Sequence, residues 1–314
     1  MSETILCITC NPAIDITYRI DSLRPHHVHR VQKVYRRAGG KGVNVASVLA
    51  QMGDRPAVSG FIGGRSGEEF LSLLDEGLSS QWIEVESPTR ATTAIVDDSD
   101  VTLFNEPGGF VSEEAWKRLA EKIISLAPRL VAICGSFPTG TKTQDLVSLI
   151  KAAHAVNAIC IVDTSGEYLM EAARAQADLV KPNREELCAA TGCIEINEGV
   201  EAVLSAGAQA VLVSDSSRGM GLFSANERTR YWWGSMPYAL TGNATGAGDS
   251  SVAAIAHHIA SYGMDRWDEG LRQAVALSAA TVVSPVAGRY DEVKAQQYRK
   301  EVKIDVMCRS FERS

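Results

Sequence analysis

The residues best equipped for chemistry lie together at Asn243-Ala244-Thr245-Gly246-Ala247-Gly248-Asp249, which runs straight into Ser250-Ser251-Val252-Ala253-Ala254-Ile255-Ala256. Glycine leaves the backbone N–H groups around it uncovered. The small-residue run predicts a helix, whose first turn aims unpaired N–H groups and the positive end of its dipole at the same spot. Such a loop binds anions, phosphate above all. A bound phosphate would repel a carboxylate beside it, so Asp249 needs a further reason to be there. Taking a proton from a hydroxyl that attacks phosphorus is one. The same residues also fit a tight turn with Asp249 capping the helix, and short glycine-rich matches are common enough to keep both readings open.

A loop of this kind must be held by a frame. Ile5-Leu6-Cys7-Ile8-Thr9 reads as a buried strand. After the turn Asn11-Pro12-Ala13-Ile14-Asp15, the apolar residues Ile14, Ile16, Tyr18 and Ile20 alternate with polar ones, a half-buried strand of period two. Residues 28–35 alternate likewise, and 91–96 with 101–105 predict a hairpin turning at Asp97-Asp98-Ser99-Asp100. These polar strands predict a small antiparallel layer outside the buried sheet, with Arg90 at the hairpin's entrance and Asn105-Glu106-Pro107-Gly108 at its exit. Ala38-Gly39-Gly40-Lys41-Gly42-Val43-Asn44 opens a second helix, running to about Gln51. Its Lys41 and Asn44 can hold a polyhydroxy or phosphorylated ligand. It matches neither the P-loop nor the dinucleotide fingerprint, which argues against a nicotinamide enzyme.

Strand 57–62 is followed by a helix through Leu74. From Ser112 onward helices and strands alternate: helix to about 127, strand 130–134, helix 143–155, strand 159–163, then strands at 179–180 and 211–214. A hairpin-like pair at 220–223 and 229–233 precedes the glycine-rich loop, and helix 271–283 closes the core. This alternation predicts a mostly parallel sheet covered on both faces. Ligands of such sheets bind beyond the C-terminal strand ends, where loops 135–138, 163–166, 181–186, 214–219 and 243–249 can converge.

Composition narrows the function. The chain has 314 residues, 45% hydrophobic, with a net charge of −7 and no long basic block, so nucleic acid is not an expected partner. No apolar run is long enough for a membrane span, and residues 1–4 lack the charge of a signal peptide. A cytoplasmic protein is expected, with its seven cysteines as reduced thiols. Cys7 and Cys10 read as buried thiols and His26, His27 and His29 as a loop or strand edge, since nothing nearby completes a metal shell.

Taken together, the motifs resemble the ribokinase/PfkB carbohydrate kinases, and within them the 1-phosphofructokinase and tagatose-6-phosphate kinase group. The likeness runs in order through Asn11-Pro12-Ala13-Ile14-Asp15, 39–46, Thr89-Arg90, Asn105-Glu106-Pro107-Gly108, Gly135-Ser136-Phe137-Pro138, 180–187 and 245–250. The resemblance implies one ribokinase-like domain over 1–314. It would be a three-layer α/β/α sandwich with a mostly parallel sheet and a small antiparallel β lid, its strands inserted at about 14–37 and 90–106. It implies transfer of a phosphoryl group from ATP, with Mg²⁺, to a phosphorylated ketohexose. Fructose 1-phosphate, giving fructose 1,6-bisphosphate, is favoured, with tagatose 6-phosphate and fructose 6-phosphate as alternatives. Asp249 would be the base, and Gly246, Ala247 and Gly248 the anion hole. Asp15, Gly39, Gly40, Lys41 and Asn44 match positions that grip the sugar. Arg90 matches a phosphate-binding arginine, and Asn105 and Ser136 line the same pocket. Lys181, Asn183 and Glu186 match a segment supporting the nucleotide phosphates and, through water, Mg²⁺; Ser214 and Gly219 would lie near those phosphates. In some members the region matching 284–289 binds a monovalent cation. The lid commonly pairs with a second subunit, so a homodimer is expected.

The chain departs from the family pattern after Ser214, where Leu-Gly-x-x-Gly is frequent and Asp215-Ser216-Ser217-Arg218-Gly219 stands instead. Asn243-Ala244 likewise replaces a frequent Pro-Val. A rival of another class is a non-catalytic sugar-phosphate sensor on the same fold, which would have no use for Asp249.

Overall fold

Apolar runs that need burial on both faces build the centre of the molecule. The computed structural model describes residues 5–98, 101–284 and 289–309. In chain order the first half contains β1 (Ile5–Thr9), β2 (Ala13–Arg19), β3 (Lys33–Gly39), α1 (Lys41–Gln51), β4 (Ala57–Ile62), α2 (Gly64–Ser72), β5 (Ser79–Ser80), β6 (Ile83–Glu84), β7 (Arg90–Val96) and β8 (Val101–Asn105). Then come α3 (Glu113–Leu126), β9 (Leu130–Cys134), α4 (Thr143–Ala155), β10 (Ile159–Asp163), α5 (Glu167–Arg174), β11 (Leu179–Val180), α6 (Arg184–Thr191), α7 (Ile196–Ala206) and β12 (Ala210–Ser214). The last elements are β13 (Met220–Ser224), β14 (Glu227–Ser235), α8 (Ala247–Tyr262), α9 (Trp267–Val282), α10 (Glu292–Glu301) and β15 (Lys303–Cys308).

The large sheet runs β15-β14-β13-β12-β11-β10-β9-β1-β4-β5, with β6 also on β4. From β12 to β5 its pairings are parallel; β13, β14 and β15 extend it antiparallel at one edge. Side-chain alternation feeds two separate cores. Ile5, Cys7, Leu130 and Ala132 pack with α1, α8 and α9 on one face. Leu6, Ile8, Val131 and Ile133 pack with α3, α4 and α7 on the other. This is the ribokinase-like three-layer α/β/α architecture. No helix among the described residues is long and apolar enough to cross a membrane.

The lid is a second sheet of order β3-β2-β7-β8. Its two hairpins, β2–β3 and β7–β8, are antiparallel, and they join through a parallel β2–β7 pairing. The antiparallel reading therefore holds within each hairpin and not between them. The second lid strand in chain order also lies later than the alternation at 28–35 indicates. It occupies Lys33–Gly39, because pairing with β2 rather than local pattern sets its register. Helix α9 begins at Trp267, four residues before the expected start. Helices α5, α6, α7 and α10 and strands β5, β6 and β15 are additions to the elements read from sequence. Part of the turn at 97–100 and most of the 284–289 segment lie outside the described residues.

Candidate active site

A cavity of about 1870 Å³ lies between the lid and the strand ends, and every site residue singled out from sequence lines it except Gly39. Gly39 lies just behind: a Cβ there would fall 2.3 Å from the carboxyl carbon of Asp15, so only glycine lets that side chain lie where it does. Register explains the lid's contribution. Arg37, Asp15, Thr92 and Asn105 stand opposite one another across β3, β2, β7 and β8, forming a polar row on the cavity side. Arg37 donates to Asp15 from Nε at 3.2 Å and Nη2 at 2.9 Å, and from Nη2 to Asn44 Oδ1 at 3.4 Å.

Arg90 sits one row nearer the core, opposite Ala13. Its guanidinium donates to the Asn11 carbonyl (3.3 Å), the Glu106 carbonyl (2.9 Å) and Thr92 Oγ1 (3.4 Å). Burial lowers its pKa, while Asp15 and Glu106 oppose that shift. The Asn11 side chain in turn donates to Ser136 Oγ at 3.2 Å, linking Arg90 to the β9 loop.

The glycine-rich loop opens α8. Gly246 takes φ 85°, a left-handed conformation that glycine adopts without strain, and holds the N-cap position with no side-chain cap bond. Asp249 therefore lies inside the first turn and is not the cap, which removes the capped-turn reading. Asn243 fixes the approach: its Oδ1 accepts from the Thr245 N–H at 2.9 Å, and its own N–H donates to the Val282 carbonyl at 2.9 Å. Asp249 is 5% exposed and accepts from Asn44 Nδ2 at 2.7 Å. Burial, with Asp163 second, raises its pKa to about 6 against the pull of Lys41, Asn44 and Lys181. A carboxylate so placed can take a proton near neutral pH.

Lysines flank this carboxylate around a third acid. Asp163, at the end of β10, is fully buried; Lys41 Nζ lies 3.3 Å from its Oδ1 and Lys181 Nζ 3.7 Å from the same oxygen. Burial pulls the Lys41 pKa down, and Asp163, Asp249 and Glu186 together outweigh it and hold it above its ordinary value. At the opposite end Asn183 and Glu186 form a reciprocal cap of α6, with Asn183 N–H to Glu186 Oε2 at 2.9 Å and Glu186 N–H to Asn183 Oδ1 at 2.8 Å. A parallel bridge between Asn183 and Ser214 joins this cap to the end of β12.

Across residues 5–291 the chain matches the profile of the pfkB family carbohydrate kinases. The chain belongs to that family. Among solved structures, phosphofructokinase-2 from Escherichia coli in complex with potassium is 26% identical, with a TM-score of 0.88 over 96% of this chain and 99% of that one. The same Escherichia coli protein in complex with fructose-6-phosphate gives a TM-score of 0.84 at the same identity and coverage. A Thermotoga maritima protein named "possible 1-phosphofructokinase" is 20% identical over 97% of this chain and 99% of its own, with a TM-score of 0.85, a likeness of fold.

A pfkB carbohydrate kinase needs a place for ATP and its metal. Among the described residues no group of three or more His, Cys, Asp or Glu side chains could hold a metal ion. Mg²⁺ carried on the nucleotide's phosphates would fit these residues, since that ion commonly binds through one or two carboxylates, water and phosphate. Glu186 would face it through water, with Oε2 engaged in the helix cap. Sequence reasoning missed Asp163 and Arg37. Asp163 carried a faint signal, as a charged residue ending an apolar strand. Arg37 carried none, because its pairing with Asp15 appears only once the register is known.

Proposed function

We propose that this pfkB carbohydrate kinase phosphorylates a phosphorylated ketohexose from ATP, fructose 1-phosphate being the favoured acceptor and fructose 1,6-bisphosphate the product. The observation that carries this reading is Asp249. It is a buried carboxylate at a helix N-terminus, with a pKa of about 6, between the lid and the donor-side loops. Asp249 takes the proton of the acceptor hydroxyl. The hydroxyl oxygen bonds to the γ-phosphorus, the bond to the β–γ bridging oxygen breaks, and its electron pair leaves with ADP. The amides of Gly246, Ala247 and Gly248 face the charge on the transferred group, and Lys41 adds a cation. Mg²⁺ carried on the phosphates would supply charge neutralisation and would be held on this chain's side by Glu186 through water; Lys181, Asn183, Ser214 and Gly219 line the donor's end.

For the acceptor, Asp15, Asn44 and the Gly39-Gly40 turn suit sugar hydroxyls, and Asn105 and Ser136 border them. Arg90 suits the acceptor's own phosphate because a guanidinium meets phosphate with paired donors. Fructose 6-phosphate is the second reading, favoured by the fructose-6-phosphate complex of the 26% identical relative. Val34, Tyr35, Leu103 and Phe104 leave exposed apolar surface on the lid, which fits a homodimer through that sheet; a monomer in sedimentation would remove it.

A coupled ADP-release assay tests the reading against fructose 1-phosphate, tagatose 6-phosphate, fructose 6-phosphate and unphosphorylated sugars. Turnover is expected only with the phosphosugars, fructose 1-phosphate having the highest kcat/KM. Turnover confined to unphosphorylated sugars would overturn the role of Arg90, and ADP release with none of them would favour the sensor reading.

A further inference from the structure

The turn that departs from the family pattern is built around a nearly buried acid. Asp215 is 6% exposed and receives the Arg218 guanidinium as a fork, Nε to Oδ2 and Nη2 to Oδ1, both at 2.7 Å. Arg184 brings a second guanidinium, with Nη1 3.6 Å from Asp215 Oδ2. The Asn183–Ser214 bridge makes this meeting unavoidable, because the next residue on each segment is Arg184 or Asp215. The Arg218 hydrogen bonds, with Arg184 adding to them, hold the Asp215 carboxyl below the usual carboxylate range. The turn is also anchored from behind, where Trp233 Nε1 donates to the Arg218 carbonyl at 2.9 Å.

Two guanidiniums on one carboxylate leave one positive charge, and all three side chains line the same cavity as Lys181 and the Gly246–Gly248 loop. A turn needing only a staple would be satisfied by Arg218 alone. The second arginine is surplus to that purpose, loosely held, and next to the Asn183–Glu186 cap. We propose that Arg184 and Arg218, gathered by Asp215, form a two-guanidinium clamp on the phosphates of the donor nucleotide, an inference that rests on the ATP-dependent reading above. The ligand class is a nucleoside di- or triphosphate. Guanidinium forks match phosphate oxygens in pairs. Arg218 keeps Nη1 outside its fork with Asp215, and Arg184 needs to give up only a long contact to turn toward the ligand. Because Asp215 already orders Arg218, little side-chain freedom remains to be lost on binding. Asp215 is thus a positioning residue.

The test is direct calorimetric titration of MgADP into the wild type, Arg184→Gln, Arg218→Gln and the double variant, with acceptor KM and melting temperature measured beside it. Arg184→Gln leaves the Asp215–Arg218 fork in place, so it serves as the variant least exposed to misfolding. Each single variant is expected to weaken ADP binding about 10- to 100-fold, as for a lost charged hydrogen bond. Acceptor KM is expected to stay within about twofold, and the loss to shrink at high salt, where exposed charges are screened. Unchanged ADP affinity in Arg184→Gln and the double variant overturns the clamp, whether or not their melting temperatures fall. A wild-type chain that binds no ADP overturns the donor reading itself, and the clamp with it.

Discussion

The cavity holds the same charge arrangement twice, built from different residues. At its centre Asp163 stands between Lys41 and Lys181; at the donor end Asp215 stands between Arg184 and Arg218. Burial separates one cation of each pair. The Lys181 side chain is 5% exposed and that of Arg218 66%, whereas Lys41 and Arg184 are alike at 39% and 34% and both acids are buried. Lysine offers a compact charge with no fixed direction, and arginine a planar fork that water solvates less strongly. A charge locked in the centre cannot move without leaving a partner unpaired in low dielectric, which is costly. A charge at the rim can exchange its carboxylate for a ligand or for water at little cost. The central set is therefore suited to a fixed field around the reacting atoms, and the rim set to gripping and releasing.

The largest expected effect comes from removing the carboxylate beside the central set. Asp249→Asn should lower kcat by at least about 10²–10⁴-fold. Its effect on stability has the opposite sign. Because the folded pKa of Asp249 is about 6, above its ordinary 3.8, the folded chain keeps a proton through that window that the unfolded chain has lost. Stability from this group thus declines as pH rises from about 4 to about 6 and stays lowered above. Asp249→Asn removes that penalty, up to about 3 kcal/mol, so its melting temperature should rise at pH 8 and match the wild type below pH 4. A variant that loses both activity and stability at pH 8 would break the assignment of Asp249 as a strained, buried base.

Next in size is the central acid. Asp163→Asn leaves two lysines facing each other beside Asp249 and should cost about 3–5 kcal/mol of unfolding free energy, measured by denaturant titration. The rim acid sharpens the contrast: Asp215→Asn should lower stability by clearly less and raise KM for ATP more than KM for the sugar phosphate. Equal destabilisation by the two would erase the difference between fixed and adjustable charge. The smallest effect is on the pH profile. For the wild type, kcat/KM should rise with pH to a half-maximum near pH 6, as the base loses its proton. In Asp163→Asn that midpoint should move lower, because the nearby acid contributes to the upward shift.

Much of this was legible in the sequence where the signal is local. The strand Ile5–Thr9 and helix Thr143–Ala155 fall on the residues expected, because an apolar run or a 3.6-residue repeat needs no partner to be recognised. The glycine-opened helices α1 and α8 were legible for the same reason, and with them Lys41, Asn44 and Asp249. What escaped depends on pairing. Strand β3 was misplaced by a deceptive alternation in an exposed stretch, and its Arg37 reaches Asp15 only through the β2–β3 register. Asp163 becomes significant only when Lys41 and Lys181, distant in the chain, converge on it. The segment Asp215-Ser216-Ser217-Arg218 was visible as a departure from pattern, yet its meaning required the bridge that brings Arg184 beside it.

The parallel pairing at the middle of the lid has a consequence for the order in which the site comes into being. Strands β2 and β7 are separated in the chain by β3, α1, β4, α2, β5 and β6, so the Asp15–Thr92 neighbourhood is a long-range contact. Such contacts wait until loop closure has been offset by other interactions. The hydrogen bond from Asn44 to Asp249 spans a still longer stretch, 205 residues, so neither wall of the cavity is completed by neighbours in the chain. The carboxylate and the lid's polar row both await long-range closure, and a chain short of its full fold would carry neither.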